Sequence, residues 1–195
     1  MIRAKYQFPS ASPGAILRDE KKAGTALGLE ADELTSQGKL VPDEIVNELV
    51  KRWLAKQDGA FVFDGYPRSM GQAEGLKDIL AGRGTPLDAV LSLEADMTTI
   101  RDRVSRRMIC SQCGMIVSVG MHVTSADGAC PACGGELTKR RDDTPETLEL
   151  RMAEYEEKTE PLISYYTDLG LLRAVDATRT PELVFQSIEA FLEAK

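Results

Sequence analysis

Short apolar runs along the chain alternate with longer stretches in which apolar residues recur every three or four positions. The runs at 60–64 (AFVFD), 89–94 (AVLSLE) and 171–176 (LLRAVD) predict strands, with a weaker one near Ser10–Ser12. Helical spacing predicts helices over 14–23, 27–37, 43–57, 70–82, 97–108, 145–168 and 181–194. Pro42 suits the first turn of the third, and the last two open with a proline and acidic residues. Strands alternating with helices predict an α/β fold with a parallel sheet covered on both faces. Trp53, Phe185, Phe191 and the aliphatic positions read as core. Residues 109–139 break the rhythm: they carry all four cysteines, several glycines and no helical pattern, so they read as an inserted module.

Composition narrows the picture without redirecting it. A chain of 195 residues suffices for one domain with an insert. A hydrophobic fraction of 43% and a charged fraction of 28% place it among globular proteins. No apolar run approaches a membrane span, and the N-terminal MIRAKYQFPSASPG has no apolar signal core. The expected location is cytoplasmic and the expected state monomeric. The net charge of −7 argues against a protein that coats nucleic acid or an acidic membrane.

The cysteines form two C-x2-C knuckles, Cys110/Cys113 and Cys130/Cys133, each followed by a glycine that lets the chain turn its amides toward the sulfurs. Four thiolates at this spacing suit one tetrahedral metal ion, for which zinc is the usual occupant and iron the alternative. Disulfides are the competing reading, and a cytoplasmic chain argues against them. Four protein ligands leave no open position, so the site reads as structural. His122 lies off the knuckle pattern and reads as a surface residue.

The first strand runs directly into Asp64-Gly65-Tyr66-Pro67-Arg68. In an open α/β sheet the C-terminal end of a strand faces the ligand crevice, which makes this a candidate binding loop presenting Asp64 and Arg68. An ordinary turn with Gly and Pro punctuation is the alternative. Arginines recur nearby and around the insert: Arg18, Arg103, Arg107, Arg140, Arg141 and Arg151. Any one of them alone reads as a solvated side chain. Together they suit an oligophosphate, because guanidinium binds phosphate bidentately and keeps its charge. Phosphoryl transfer needs chiefly positioning and charge neutralisation.

Several segments carry a family resemblance. FVFDGYPRSMGQA, GKLVPDEIV, the cysteine quartet, RRDDTPETLELRM and VDATRTPELV stand in the order found in adenylate kinases of the bacterial type with a zinc-binding lid. The resemblance covers essentially the whole chain. It implies the parallel-sheet fold of P-loop nucleoside monophosphate kinases, divided as a core with the AMP-binding segment over 1–108, a zinc lid over 109–142 and a return to the core over 143–195. It implies the reaction ATP + AMP ⇌ 2 ADP with Mg²⁺. On the AMP side it implies that Arg18, Arg68, Arg140 and Arg151 grip the phosphate within the loop Gly65-Tyr66-Pro67-Arg68. Lys39, Leu40 and Val41 line the nucleoside, and Gln72 bonds adenine. Gln72 favours adenylate over uridylate and cytidylate kinases, which carry asparagine there. On the ATP side it implies Arg103 and Arg107 at the base and phosphates, Ile116 and Val117 under the lid, and Arg179 near adenine. Asp64 would hold Mg²⁺ through water.

This sequence departs from the family pattern in places. Pro13 stands for a threonine, Ala15 for an aspartate, Met108 for the second arginine of G-R-R, and Ala177 for a glycine. No G-x-x-x-x-G-K-[ST] phosphate loop occurs in the 195 residues. RAKYQFPS resembles the text just after the family's first helix. The expectation is a start at an internal methionine, without the central strand of a five-stranded sheet. About five buried apolar side chains at roughly 1.5–3 kcal/mol each would be lost with that strand. That rivals the ~5–15 kcal/mol stability of a domain. The chain is therefore expected to fold poorly or to pair two strands that are not neighbours in the family. The rival functions are an inactive AMP-binding remnant and a zinc-ribbon nucleic-acid binder. Acidity and the absence of an aromatic residue in the ribbon oppose the latter.

Overall fold

Val62 and Phe63 form strand β2 (Val62–Phe63), which pairs in parallel with β1 (Ser10–Ala11), Ser10 opposite Val62 and Ala11 opposite Phe63. The computed structural model describes residues 1–36, 41–123, 125–140 and 143–194, the Arg3 side chain excepted. Lys39 and Leu40 lie outside the described residues, as does Arg141.

Two compact units make up the chain, the first comprising 1–92, 155–174 and 185–195 and the second 93–154 and 175–184. The helices are α1 (Ile2–Tyr6), α2 (Pro13–Lys22), α3 (Ala26–Ser36), α4 (Asp43–Leu54), α5 (Met70–Arg83), α6 (Met97–Arg106), α7 (Pro145–Glu154), α8 (Pro161–Asp168) and α9 (Pro181–Glu193). Strand β3 (Val90–Glu94) pairs with β7 (Leu172–Asp176). The amide of Val90 bonds the Leu171 carbonyl at 3.0 Å and that of Ala177 bonds the Glu94 carbonyl at 2.7 Å, an advance in the same sense that makes the pair parallel. The mixed α/β class with parallel strands is thus present.

Among the described residues β2 and β3 do not pair, and the parallel strands stand as two separate pairs. The expected pairing of strands that are not neighbours in the family is therefore not the solution seen. Apolar runs in parallel sheets are ordinarily covered on both faces. Here Val62, Phe63, Val90 and Leu91 are only half-buried and Leu93 is 59% exposed.

The main core of the first unit lies between α2, α4 and α5. Ile16, Val46, Leu49, Val50, Leu54, Leu76 and Leu80 are buried there. The apolar positions of α4 recur at helical spacing, so one face is buried while Glu48 and Arg52 pair on the other at 2.9 Å. Trp53 packs on this core through Phe61 and Phe63, and Phe63 continues edge-on to Tyr66, with centroids 5.3 Å apart. The loop after β2 is thus anchored on the core through its own tyrosine.

Two elements differ from the periodicity reading. The helix expected over 145–168 is interrupted by a π-turn at Tyr155–Thr159, where the Glu160 amide bonds the Tyr155 carbonyl at 2.8 Å. Pro161 is the cause: it has no N–H and its ring excludes the carbonyl four residues back, so the chain widens and restarts with proline at the head of α8. The helix expected to reach 108 ends at Arg106, and Arg107 opens β4 (Arg107–Cys110), whose side chains alternate between half-buried and buried. Apolar alternation over four residues overrides helical spacing once a partner strand is present. That partner is β5 (Ile116–Ser118), and β6 (Leu137–Thr138) closes an antiparallel sheet in the order β5-β4-β6.

Candidate active site and metal centre

In the loop after β2, Asp64 and Arg68 are exposed while the residues between and behind them are tied down. The Tyr66–Pro67 bond is cis. Tyr66 is 7% exposed, and its hydroxyl donates to Asn47 Oδ1 at 2.6 Å and lies 3.3 Å from the Gln72 carbonyl. Asn47 Nδ2 donates to the Gly71 carbonyl at 3.0 Å. Ser69 caps α5 by accepting the Gln72 amide at 3.2 Å and donates its own hydroxyl to Asp43 Oδ2 at 2.6 Å. The π-turn supplies one further tie, Thr159 Oγ1 donating to the Arg68 carbonyl at 2.8 Å.

Two glycines of α5 make this bracing possible. A Cβ at Gly71 would lie 2.8 Å from Asp43 Oδ2 and one at Gly75 only 2.0 Å from Asn47 Nδ2. Residues 43 and 47 on α4 and 71 and 75 on α5 are each one helical turn apart, so two polar side chains seat on two positions without side chains. Burial pushes the Tyr66 phenol above its ordinary value of about 10, with the neighbouring Tyr166 and Asp43 adding to the effect. A raised folded-state value means the stability it contributes is intact below about pH 10 and is lost as the pH rises from there toward the folded value. Tyr66→Phe is expected to cost about 1–2 kcal/mol at neutral pH through the lost hydrogen bonds and to flatten the alkaline limb of stability. Urea melts from pH 7 to 11 check both; an unchanged alkaline limb counts against the assignment.

The sequence-predicted residues of this unit are placed as follows. Arg18 is exposed on α2, its guanidinium close over Gly14, where an added Cβ would be 3.4 Å from Nη1. Arg68 Nε donates to the Gly65 carbonyl at 2.8 Å. Val41 packs against the main core. Gln72 is only 9% exposed, with Oε1 taking the Arg68 amide at 2.8 Å and Nε2 donating to Asp43 Oδ1 at 2.8 Å. Among the described residues Asp64, Arg18 and Arg68 enter no salt bridge.

In the second unit the arginines converge on an acid. Asp143 has a side chain with no exposed surface; Arg107 Nε donates to its Oδ2 at 2.8 Å and Arg107 Nη2 to its Oδ1. Arg151 Nη1 lies 3.9 Å from the same Oδ1. The Arg140 carbonyl accepts the Asp143 amide at 3.2 Å. Arg103 Nη2 donates to the Arg179 carbonyl at 3.1 Å, which brings the two expected adenine-side arginines together. Ile116 is 52% exposed, but Val117 is completely buried with Met108, Cys110, Cys130 and Leu137. Alternation along β5 turns the side chain of Val117, expected with Ile116 under the lid, into the small core. Met108 is 5% exposed in that core, which explains why an apolar residue stands where the family carries an arginine.

The four cysteine sulfurs lie within 4.8 Å of one another, with Cys110 and Cys133 3.5 Å apart and Cys113 and Cys130 3.7 Å apart. Sulfurs tetrahedrally disposed at about 2.3 Å from one ion sit about 3.8 Å apart, so the set fits a single metal ion. The separations are far beyond the ~2.05 Å of a disulfide. Both knuckles are built alike: the Gly114 amide bonds the Cys110 carbonyl at 3.0 Å and the Gly134 amide bonds the Cys130 carbonyl at 2.8 Å, with both glycines at positive φ. The Cys113 amide pointing at its sulfur, with that of Gln112, holds the Cys110 thiol down to about 6 against the opposing effect of burial.

The family model described as adenylate kinase matches residues 1–171. The chain belongs to the adenylate kinase family. It is 40% identical over 193 residues to an adenylate kinase of Thermodesulfovibrio yellowstonii, covering 98% of this chain and 90% of the relative. It is 42% identical over 193 residues to that of Lachnoclostridium phytofermentans, covering 98% and 89%. The adenylate kinase of Clostridium tetani is 37% identical over 196 residues, covering 100% and 91%. By family it is a nucleoside monophosphate kinase. No helix among the described residues is long and apolar enough to cross a membrane.

Reasoning from the sequence missed the residues of this chain that hold others in place: Asp43, Asn47, Ser69, Thr159 and Asp143. Two signals were present. Asp43 and Asn47 are one turn apart on a helix whose apolar face lies elsewhere, and Gly71 and Gly75 repeat that spacing. The acids of RRDD adjoin the arginines and offer them a partner.

Proposed function

We propose that the protein binds AMP and ATP and catalyses ATP + AMP ⇌ 2 ADP. The observation that carries this reading is the braced loop after β2: a network of buried and half-buried polar groups holds a turn whose own charged residues, Asp64 and Arg68, stay exposed and outside any salt bridge among the described residues. On the AMP side, Arg18 and Arg68 bind phosphate together with Arg140 and Arg151, Lys39, Leu40 and Val41 line the nucleoside, and the free edge of Gln72 meets the base. On the ATP side, Arg103, Arg107, Ile116, Val117 and Arg179 contact the donor. Arg107, Arg140 and Arg151 neutralise charge on the transferring group, which keeps to guanidinium because its proton is never lost. Mg²⁺, when bound with ATP, spreads and neutralises phosphate charge, and Asp64 is the carboxylate that holds its water shell. Zinc occupies the four cysteines, and the module over 109–142 is the lid that excludes water on closing.

The test is a coupled assay for ADP formation from ATP and AMP, beside a titration of AMP, on the 195-residue polypeptide. These residues contain no phosphate loop, so the expected result is measurable AMP binding. Turnover should be slower by about 10³-fold or more than in the same polypeptide fused to the strand and loop of a relative. No AMP binding in either form would overturn the reading. Equal turnover in both would show that another element of this chain cradles the donor phosphates.

A further inference from the structure

A carboxamide has two acceptor lone pairs and two N–H donors. Gln72 spends one of each inside the protein, Oε1 on the Arg68 amide and Nε2 on Asp43 Oδ1, both at 2.8 Å. One lone pair and one N–H remain, the complement of an edge that offers a donor beside an acceptor. We infer that Asp43 is a positioning residue that fixes the orientation of the Gln72 amide and thereby makes the monophosphate site select 6-amino over 6-oxo purines. This rests on the reading of Gln72 as the base contact.

Asp43 suits this role because a carboxylate only accepts. Its second oxygen, Oδ2, takes the Ser69 hydroxyl at 2.6 Å, and Ser69 in turn accepts the backbone amide of Gln72 at 3.2 Å, so the acid is held against the start of α5. Gly71 admits it, since a Cβ there would meet Oδ2 at 2.8 Å. A flipped Gln72 would set oxygen against Asp43 oxygen and N–H against the Arg68 N–H, so both ends oppose the flip. Adenine offers an amino donor beside a ring-nitrogen acceptor. Hypoxanthine offers the reverse, a carbonyl acceptor beside a ring N–H, and would be matched only by the flipped amide. The seating of Asp43 on Gly71, at the start of α5, is accounted for by the need for that orientation.

The experiment measures dissociation constants of AMP and IMP by titration of the 195-residue chain and its variants, with a thermal melt of each to establish that it is folded. Asp43→Asn presents either an oxygen or an N–H to Gln72. It is expected to weaken AMP about tenfold and IMP less than about twofold, so that discrimination falls about five- to tenfold. Gln72→Ala is expected to abolish discrimination. The double variant is expected to match Gln72→Ala within about twofold, because Asp43 acts through Gln72 alone. Should Asp43→Asn not fold, Ser69→Ala loosens the same carboxylate and is expected to cut discrimination about two- to threefold. Loss of discrimination in Gln72→Ala with full retention in the folded Asp43 or Ser69 variant overturns the role of Asp43 alone. Retention in Gln72→Ala overturns both that role and the reading of Gln72. Failure of the unaltered chain to bind AMP overturns the site itself.

Discussion

Cys110→Ser is expected to abolish the proposed zinc binding and to dissolve the module built around the four cysteines. The buried core of that module consists of Met108, Cys110, Val117, Cys130 and Leu137, so two of its five residues are themselves ligands. A three-stranded sheet with so small a core cannot offset the entropy of ordering its loops without a further constraint. Structural zinc contributes an apparent ~10–16 kcal/mol in comparable small modules, and a serine hydroxyl is a poor replacement for a thiolate. Elemental analysis should show about one zinc per chain falling toward zero. Amide exchange over β4, β5 and β6 should accelerate to nearly unprotected rates, while α4 and α5 keep their protection. A chelator that competes for zinc should reproduce the exchange pattern in the unaltered chain. Persisting protection across 107–138 in the metal-free variant would show that the sheet stands on its own packing.

The second large effect concerns Asp143. Its carboxylate has no exposed surface and takes two hydrogen bonds from Arg107, whose side chain is 27% exposed. Replacing it with alanine leaves a half-buried guanidinium without that partner. Removing one member of a buried pair costs about 3–5 kcal/mol, and water reaching Arg107 brings the expectation to about 2–4 kcal/mol. Asp143→Asn, which keeps the shape and one acceptor, should cost less. The decisive measurement is a double-mutant cycle of Asp143→Ala with Arg107→Ala by chemical denaturation. A coupling energy of about 1–3 kcal/mol is expected. Coupling below about 0.5 kcal/mol would mean that the carboxylate is held by its other neighbours and that Arg107 is not pre-set by it.

Asp143 belongs to the groups that hold other groups, and these were the part of the protein hardest to read in advance. The strands at 60–64, 89–94 and 171–176 were legible as short apolar runs, and the helix over 43–57, which ends at Leu54, because burial of one face imposes a period on its residues. The cysteine quartet was legible because one ion demands four ligands of one kind at short spacing. The arginines and the D-G-Y-P-R loop stood out as candidates because phosphate recognition draws on few residue types. By contrast, β4 to β6 carry so few residues each that alternation and helical spacing fit equally well, and only a partner strand decides between them. The single helix over 145–168 failed for a local reason, Pro161, whose effect on the turn before it could have been read from the sequence.

The sequence by itself determined the class of the fold, the family, the cysteine cluster and the charged groups proposed to meet nucleotide, because each follows from residue type and short-range spacing. Only the tertiary structure decided how those groups are held. It set Asp143 between Arg107 and Arg151, seated Asp43 and Asn47 on Gly71 and Gly75, brought Thr159 to the Arg68 carbonyl, and turned Val117 inward. These contacts join residues up to 91 positions apart. Hydrogen bonds and close approach depend on distances of a few tenths of an ångström between separate elements, and such distances exist only once helices and strands have packed.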